Sequence, residues 1–250
     1  MRVTETAERV VAVLDLLGAE RDGIGVRAVA RHLGVHPSTA SRLLATLGAA
    51  GLIERDEMRG RYRLGARIVG LAAAAVDRLP VVSQARPELE HLSAVTAETI
   101  NLAIRDGLHV VYVDQVTPAQ TVVMASWVGR RSPVHASSSG KVLLAFGAEG
   151  AADLLAGVRL ERLTERTVTD PARLAEVLDQ VRRQGYAAST GELEEGLVTI
   201  AAPVLVDDAA VAAISVSGPA YRLPARDVSH LARQVMDAAA AASHRMAGRT

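Results

Sequence analysis

Three serines followed by glycine and lysine, from Ser137 to Lys141, have residue types found in reactive and phosphate-binding loops. A Walker phosphate loop needs a glycine at the position of His135 and a hydroxyl at that of Val142, so this interpretation fails. Ser138 and Lys141 have the Ser-x-x-Lys spacing of penicillin-interactive serine enzymes, but those enzymes need a second lysine motif and this chain has a single lysine. Two interpretations of this motif remain. It is either a helix N-terminus whose N–H groups and hydroxyls bind a carboxylate, or a serine-rich helix cap that binds no ligand.

A second group of hydroxyl and cationic side chains lies on a helix predicted to begin at Pro37. An apolar helical pattern from Val26 to Leu33 precedes it, and Gly34 supplies the turn between the two helices, as in a helix-turn-helix. The N-terminal end of such a second helix contacts base edges in the major groove of DNA. We therefore predict contacts to bases or phosphates from His36, Ser38, Thr39, Ser41 and Arg42.

Two short alternating runs, Leu52 to Arg55 and Arg61 to Leu64, are joined by a polar turn through Gly60 and predict a two-stranded wing. Its outer side is expected to carry Arg59 and three predicted DNA contacts, Arg55, Arg61 and Arg63. Between residues 27 and 67 there are eight arginines and three acidic residues, although the chain as a whole has 28 of each charge. This local excess indicates phosphate binding; the alternatives are an arginine-rich solvated surface and a scaffold that no longer binds DNA.

The other predicted helices and strands must position these two groups. A first helix, capped by Thr4 or Thr6, is predicted to end near Asp22-Gly23. A linker helix is predicted from Ala66 to Leu79, packed either on its copy in a second subunit or within one chain. Further helices are predicted at Pro87–Ala94, from about Gly140, at Pro171–Gln184 and at about Arg226–Ala247, and strands at Ile100–Arg105, His109–Gln115, Thr121–Ala125, Leu197–Leu205 and Val211–Ser217. Helices at both ends of a mainly antiparallel sheet predict an α+β fold.

Several motifs carry a family resemblance. The run G-V-H-P-S-T-A-S-R-L-L-A-T-L-G-A-A-G-L-I, closed by R-Y-R-L-G, resembles the winged helix-turn-helix of the IclR family of bacterial transcription regulators. The motifs S-S-S-G-K-V-L-L-A-F, E-L-E-E-G-L, I-A-A-P-V and A-I-S-V-S-G-P resemble the family's C-terminal effector-binding domain, which is related in shape to GAF domains. The resemblance implies a winged helix-turn-helix domain at residues 1–65, a linker helix at 66–80 and an effector-binding, oligomerisation domain at 81–250.

The resemblance also implies which residues line the effector pocket: Ser138, Ser139, Gly140, Ser189, Leu197, Thr199, Ser215 and Ser217. Where many family members have an acidic residue and a cysteine, this chain has Ser189 and Thr199, so the expected pocket is polar and neutral. Ser215 and Ser217 are two apart on one strand and so point to one face; the alternative is buried serines bonded to the backbone. Trp127, the single tryptophan, is either a wall of this cavity or part of the core.

The implied function is that of a regulator and not of an enzyme, either a repressor or an activator of a metabolic, catabolic operon. Its expected partners are palindromic double-stranded promoter DNA, a small metabolite such as a carboxylate, and further copies of the chain in a homodimer or homotetramer. The alternative from a different class is a Ser-Lys hydrolase that uses Ser138 and Lys141. An acidic run at Glu192, Glu194 and Glu195 lacks a nucleophile or metal motif and is expected to be a solvated loop at the pocket mouth.

Composition excludes several other classes. The chain has no cysteine, which excludes disulfides, thiolate metal sites and cysteine nucleophiles, and none of its seven histidines has a metal-ligand spacing. No metal and no cofactor are expected. No signal-peptide core and no run of ~20 apolar residues are present, so a cytoplasmic protein without a membrane partner is expected.

Overall fold

A computed structural model describes residues 4–20, 22–118, 126–223 and 228–248. The chain divides into two compact units, residues 1–78 and 79–250. Each unit has a hydrophobic core of its own, and the larger unit has one on either face of its sheet.

Within residues 4–20 and 22–78, the N-terminal unit contains four helices and a hairpin. They are α1 (Glu5–Ala19), α2 (Val26–Leu33), α3 (Pro37–Ala49), β1 (Ile53–Asp56), β2 (Arg61–Leu64) and α4 (Ala66–Val76). Strands β1 and β2 are antiparallel, which confirms the predicted wing. Buried side chains from the first three helices and the wing form the core: Val13, Leu17, Ile24, Val29, Ala30, Ala40, Leu44, Leu47 and Ile53.

Local sequence explains the tight connection between α2 and α3. Gly34 ends α2 with φ of 64°, a left-handed conformation that costs glycine little, and its N–H donates to Ala30 and Arg31. Pro37 occupies the first turn of α3, where no N–H is needed. The helix-turn-helix was therefore predicted correctly.

Two predictions about the helix ends in this unit need correction. Helix α1 ends at Ala19, before the predicted Asp22-Gly23. The chain beyond it turns towards the wing, because Ile24 exchanges backbone hydrogen bonds of 2.9 and 2.8 Å with Tyr62. The Thr4 side chain makes no capping hydrogen bond. Helix α4 ends at Val76, short of the predicted Leu79, and none of its residues is buried in the described part of the chain.

In its described residues, the C-terminal unit combines a six-stranded sheet with helices on both faces. Its helices are α5 (Pro80–Thr96), α6 (Ser138–Ala145), α7 (Ala151–Leu155), α8 (Pro171–Gln184) and α9 (Val228–Met246). Its strands are β3 (Thr99–Asp106), β4 (His109–Val116), β5 (Arg131–Pro133), β6 (Ala187–Thr190), β7 (Leu197–Val206) and β8 (Ala209–Pro219). The spatial order is β5-β4-β3-β8-β7-β6 with every neighbouring pair antiparallel, which confirms the predicted α+β fold.

Strand alternation divides this unit into two cores. One face of the sheet presents Ile100, Leu102, Ile200, Ile214 and Val216 to helices α5 and α9. The opposite face presents smaller side chains, Ala103, Ala187, Ala201 and Ala213, to helices α6 and α8. Alanine on the second face lets α6 approach the sheet closely, and this helix carries the serine-rich motif.

Several boundaries in this unit differ from the predictions. Helix α5 begins at Pro80, which had been expected to stop the linker helix, and Pro87 lies inside it. Burial of the α5 face at Leu89 and Leu92 outweighs the cost of one proline in the helix. Helix α6 begins at Ser138, two residues before the predicted Gly140. Strands β5 and β6 and helix α7 were not predicted, and the predicted strand Thr121–Ala125 lies outside the described residues.

Candidate functional site

The N-terminal half of α3 presents the predicted DNA-contact groups. Ser38, Ser41 and Arg42 are exposed and Thr39 is half-buried, whereas Ala40, Leu44 and Leu47 are buried against the rest of the unit. Arg42 has no ion-pair or side-chain hydrogen-bond partner among the described residues. The guanidinium group is therefore free to contact a base edge or a phosphate.

His36 acts as the N-cap of α3. Its ring Nδ1 lies 3.3 Å from the Ser38 backbone nitrogen, which donates to it, and 2.8 Å from Ser38 Oγ. These contacts hold both side chains at the helix N-terminus, where partial positive charge favours an anion. The cap therefore orders two of the predicted contact residues.

The wing register corrects one part of the prediction. In the register of the two strands, Arg61 lies opposite Asp56 and Arg63 lies opposite Glu54. Since alternate residues of a strand point to the same side, the two arginines lie on one exposed face. Arg55 is paired with Tyr62 and so lies on the opposite face, with its Cζ 5.9 Å from the Tyr62 ring centroid. The arginines of the wing do not share a single outer side, although all of them are exposed.

In the C-terminal unit, strand register brings most of the predicted effector residues together. Adjacent Cα partners form a line across four strands, which we call the polar row, made of Thr99, Ser217, Thr199 and Ser189. The next line of partners consists of Asn101, Ser215, Ala201 and Ala187. Leu197 is also buried and lies on the same face of the sheet. It flanks the polar row on the side opposite to the line that contains Asn101 and Ser215. The α6-facing side of the sheet thus changes from apolar to polar along its strands.

The first turn of α6 packs on the polar row. Ser137 caps the helix by accepting a hydrogen bond of 3.1 Å from the Gly140 N–H, and Ser138 Oγ donates to Thr199 Oγ1 over 2.8 Å. A Cβ atom on Gly140 would lie 2.1 Å from the Val134 carbonyl oxygen, so only glycine fits there. The N–H of Gly140 is already bonded, and its position serves close packing of the helix.

Three buried polar atoms on these surfaces have no hydrogen-bond partner among the described residues: Thr99 Oγ1, Asn101 Oδ1 and Ser139 Oγ. Each of the three residues is only 1% exposed. The Asn101 amide donates through Nδ2 to Ser217 Oγ over 3.1 Å, which leaves its oxygen unpaired. Sequence reasoning identified Ser139 and missed Thr99 and Asn101. The sequence contains a pattern that points to these two residues, because they alternate with Ile100 and Leu102 in a strand that was otherwise predicted correctly.

The partners of Lys141 and Ser138 argue against the hydrolase hypothesis. Its ammonium group forms a buried ion pair with Glu192, with the two side chains 2% and 12% exposed. Ser138 is bonded to Thr199 instead, so no serine–lysine nucleophile and base pair exists. The prediction of a solvated loop is also wrong for Glu192, which tethers the loop between β6 and β7 to α6.

Trp127 packs against the hydrophobic core on the α6-facing side of the sheet. Its ring centroid lies 5.3 Å from that of Tyr112, and the Arg130 guanidinium carbon lies 5.0 Å from the Trp127 ring. Burial raises the pKa of the Tyr112 phenol, which therefore stays protonated at neutral pH. These contacts favour a structural position for Trp127 over a cavity wall.

Two classes of feature are absent from the described ranges. Residues 4–20, 22–118, 126–223 and 228–248 contain no cluster of three His, Cys, Asp or Glu side chains that could hold a metal ion. Within the same ranges no single helix is long and apolar enough to cross a membrane, although α4 and α5 satisfy that test by length and composition when taken together.

Comparison with known proteins identifies the family. Residues 6–57 match the IclR helix-turn-helix domain, and residues 73–244 match the bacterial transcriptional regulator IclR C-terminal domain. The chain is 38% identical over 244 residues to the HTH-type transcriptional regulator BhcR of Paracoccus denitrificans, covering 97% of this chain and 87% of that protein.

Two further relatives agree with this match. The chain is 35% identical over 216 residues to the regulator KdgR of Escherichia coli, covering 86% of this chain and 82% of that protein. It also resembles the crystal structure of an IclR homologue of Microbacterium hydrocarbonoxydans complexed with 4-hydroxybenzoate, with a TM-score of 0.81, 29% identity and coverage of 97% and 99%. The chain belongs to the IclR family of DNA-binding transcriptional regulators, with an N-terminal helix-turn-helix and a C-terminal effector-binding domain.

Proposed function

We propose that the protein binds promoter DNA through α3 and the wing, with His36, Ser38, Thr39, Ser41, Arg42, Arg61 and Arg63 in contact with DNA and Arg55 at the edge of this surface. The observation that carries the proposal is the exposed, unpaired Arg42 at the N-terminal half of α3, the part of a recognition helix that enters the major groove. Arg61 on the wing donates to the Gly23 carbonyl over 3.4 Å, a long contact that leaves the guanidinium available for phosphate.

In this proposal residues 1–65 bind DNA, 66–80 form the linker, and 81–250 bind the effector and mediate oligomerisation. The protein acts in the cytoplasm as a homodimer or homotetramer. A two-fold dimer places recognition helices one DNA turn apart, or a multiple of it, and so requires a palindromic site. Exposed apolar side chains on α4, with Val69 71% and Leu71 53% exposed, support contact with a second copy.

The proposed effector is a small metabolite with a carboxylate, and the regulated operon is catabolic. The carboxylate is bound at the first turn of α6 by the hydroxyls and backbone N–H groups of Ser138 and Ser139, since a helix N-terminus favours an anion. Gly140, whose own N–H is bonded to Ser137, contributes to the site by allowing this turn to pack closely. Ser189, Leu197, Thr199, Ser215 and Ser217 complete the site from the sheet. The neutral hydroxyls of the three serines and of Thr199 fit a ligand bound through hydrogen bonds without a charge partner in the sheet, and Leu197 adds an apolar contact.

Fluorescence anisotropy tests the DNA part of the proposal. Labelled DNA from upstream of the protein's own gene is titrated with the full chain across a salt series, with a scrambled duplex as control. Specific binding that weakens with salt supports the proposal, because neutralised phosphates release counterions. Equal, weak binding to both duplexes would refute it.

Arg42→Ala separates the two possible contacts of this side chain. Loss of a base contact costs about 1–3 kcal/mol and relaxes sequence preference, whereas loss of a phosphate contact weakens binding to all sequences and lowers the salt slope by about one. Arg173→Ala, which alters an exposed arginine of the C-terminal unit, is the matched control and should bind as the unaltered protein does. Unchanged affinity of Arg42→Ala would mean that the recognition face is assigned wrongly.

A further inference from the structure

The buried side of β3 carries two polar side chains whose hydrogen-bonding capacity is unused. Thr99 and Asn101 are two residues apart and so point to the same face of the sheet, beside the residues already proposed to bind effector. Both are 1% exposed, and Thr99 Oγ1 and Asn101 Oδ1 have no partner in the described part of the chain. Buried polar atoms in folded proteins are normally paired, so two neighbouring exceptions on one surface need an explanation.

The chemistry of the two atoms restricts what can pair with them. Asn101 already uses its amide N–H on Ser217 Oγ, 3.1 Å away, and its free oxygen can only accept a hydrogen bond. The Thr99 hydroxyl can donate or accept. A ligand hydroxyl, which is both donor and acceptor, satisfies both atoms, whereas a carboxylate oxygen cannot donate to Asn101.

We propose that Thr99 and Asn101 are effector-contact residues and that the effector is a hydroxylated acid, with its carboxylate at α6 and its hydroxyl on β3. The inference rests on the effector site proposed above and adds the second polar group of the ligand. Ser139 Oγ, the third unpaired atom, lies in the first turn of α6, where the carboxylate is proposed to bind. The two ends of the site thus recognise different groups of one small molecule.

Binding also requires a local movement. The unpaired oxygens of Thr99 and Asn101 have almost no accessible surface, so a ligand reaches them only when the first turn of α6 moves off the polar row. That movement breaks the 2.8 Å hydrogen bond from Ser138 to Thr199. The new hydrogen bonds on β3 offset this loss only for a ligand that carries the hydroxyl.

Isothermal titration calorimetry of the full chain with matched acids tests the inference. The pairs are propionate and lactate, succinate and malate, and benzoate and 4-hydroxybenzoate, which differ in each case by one hydroxyl. In at least one pair the hydroxylated acid should bind about tenfold more tightly, the difference expected when a buried polar group gains its partner. Thr99→Val should remove most of this preference.

The variants are chosen so that misfolding does not imitate the result. Thr99→Val replaces an unpaired hydroxyl by a methyl group of similar size and removes no hydrogen bond of the protein. Asn101→Leu, which also loses the bond to Ser217, should abolish the preference as well. Thr96→Val is the matched control, because the Thr96 hydroxyl donates to the Leu92 carbonyl at the end of α5, and the hydroxyl preference should remain.

Each outcome bears on the inference. Equal affinity within every pair, or a preference that survives in Thr99→Val, would overturn the roles of Thr99 and Asn101 while the proposed carboxylate site stands. Failure of all six acids to bind would overturn this inference and the carboxylate assignment together. Neither result affects the DNA-binding proposal, which the anisotropy titration tests separately.

Discussion

Removing the Lys141 ammonium group should destabilise the C-terminal unit strongly. Lys141 is 2% exposed and Glu192 12% exposed, and the second carboxylate oxygen of Glu192 already lacks a partner among the described residues. Lys141→Met therefore leaves a buried carboxylate without its counter-charge. Breaking one partner of such a pair costs about 3–5 kcal/mol.

Replacing both partners should reverse most of this loss. Burial lowers the pKa of Lys141 from its ordinary 10.5, although the attraction of Glu192 opposes this change. The favourable energy of the ion pair is therefore smaller than the cost of desolvating the ammonium group. Lys141→Met combined with Glu192→Leu removes both desolvated charges. Its unfolding free energy should lie within about 1–2 kcal/mol of the unaltered protein, or above it.

Urea unfolding followed by tryptophan fluorescence measures these differences. Trp127 is the single tryptophan and packs on Tyr112 within the C-terminal unit, so the signal reports that unit. Arg173→Met is the control, because its ion pair with Glu176 is 63% and 67% exposed and should contribute at most about 1 kcal/mol. If Lys141→Met were no more destabilising than Arg173→Met, the buried pair would not have the energetic role assigned to it.

Two further predictions concern the same helix. Gly140→Ala should destabilise the unit by about 1–3 kcal/mol or more, because its Cβ would lie 2.1 Å from the Val134 carbonyl oxygen. Gly48→Ala, with no atom within 4 Å of the added Cβ, should by contrast be neutral or stabilising in thermal unfolding followed by circular dichroism. The lowered pKa of Lys141 means that the unfolded chain binds this proton more tightly, so the unfolding free energy should rise with pH between the lowered pKa and 10.5. Urea titrations across that alkaline window should show this slope in the unaltered protein and not in Lys141→Met.

The parts of the fold that the sequence predicts well are those governed by local chemistry. Gly34 and Pro37 identify the turn between α2 and α3, and the two strands predicted at Leu197–Leu205 and Val211–Ser217 are joined by a tight turn at Asp207-Asp208, with φ of 49° and 65°. Both features depend on backbone conformations within a few residues. Local patterns were sufficient there because no distant contact competes with them.

The features of the fold that the sequence did not predict depend on contacts between residues far apart in the chain. Helix α1 ends early because Ile24 pairs with Tyr62, and the short strand β6 is recognisable only from its pairing with β7. The candidate site shows the same limit. The family resemblance supplied Ser189 and Ser217, but the adjacency of Thr99 to Ser217 follows from the register between β3 and β8, which no local pattern contains.

The free energy of the hydrogen bonds that a ligand can form at the polar row can be compared with the coupling free energy needed for regulation. An effector changes operator affinity only by the difference between its binding free energies to the two arrangements of the protein. If Thr99 Oγ1, Asn101 Oδ1 and Ser139 Oγ each gain one hydrogen bond only in the bound arrangement, at about 0.5–1.5 kcal/mol each, the gain is about 1.5–4.5 kcal/mol before the loss of the Ser138–Thr199 bond. Subtracting about 1 kcal/mol for that bond leaves about 0.5–3.5 kcal/mol, a range that includes the whole of the 1–3 kcal/mol of typical allosteric coupling. Hydrogen bonds from a ligand to three otherwise unpaired oxygens would therefore match the size of a typical allosteric coupling.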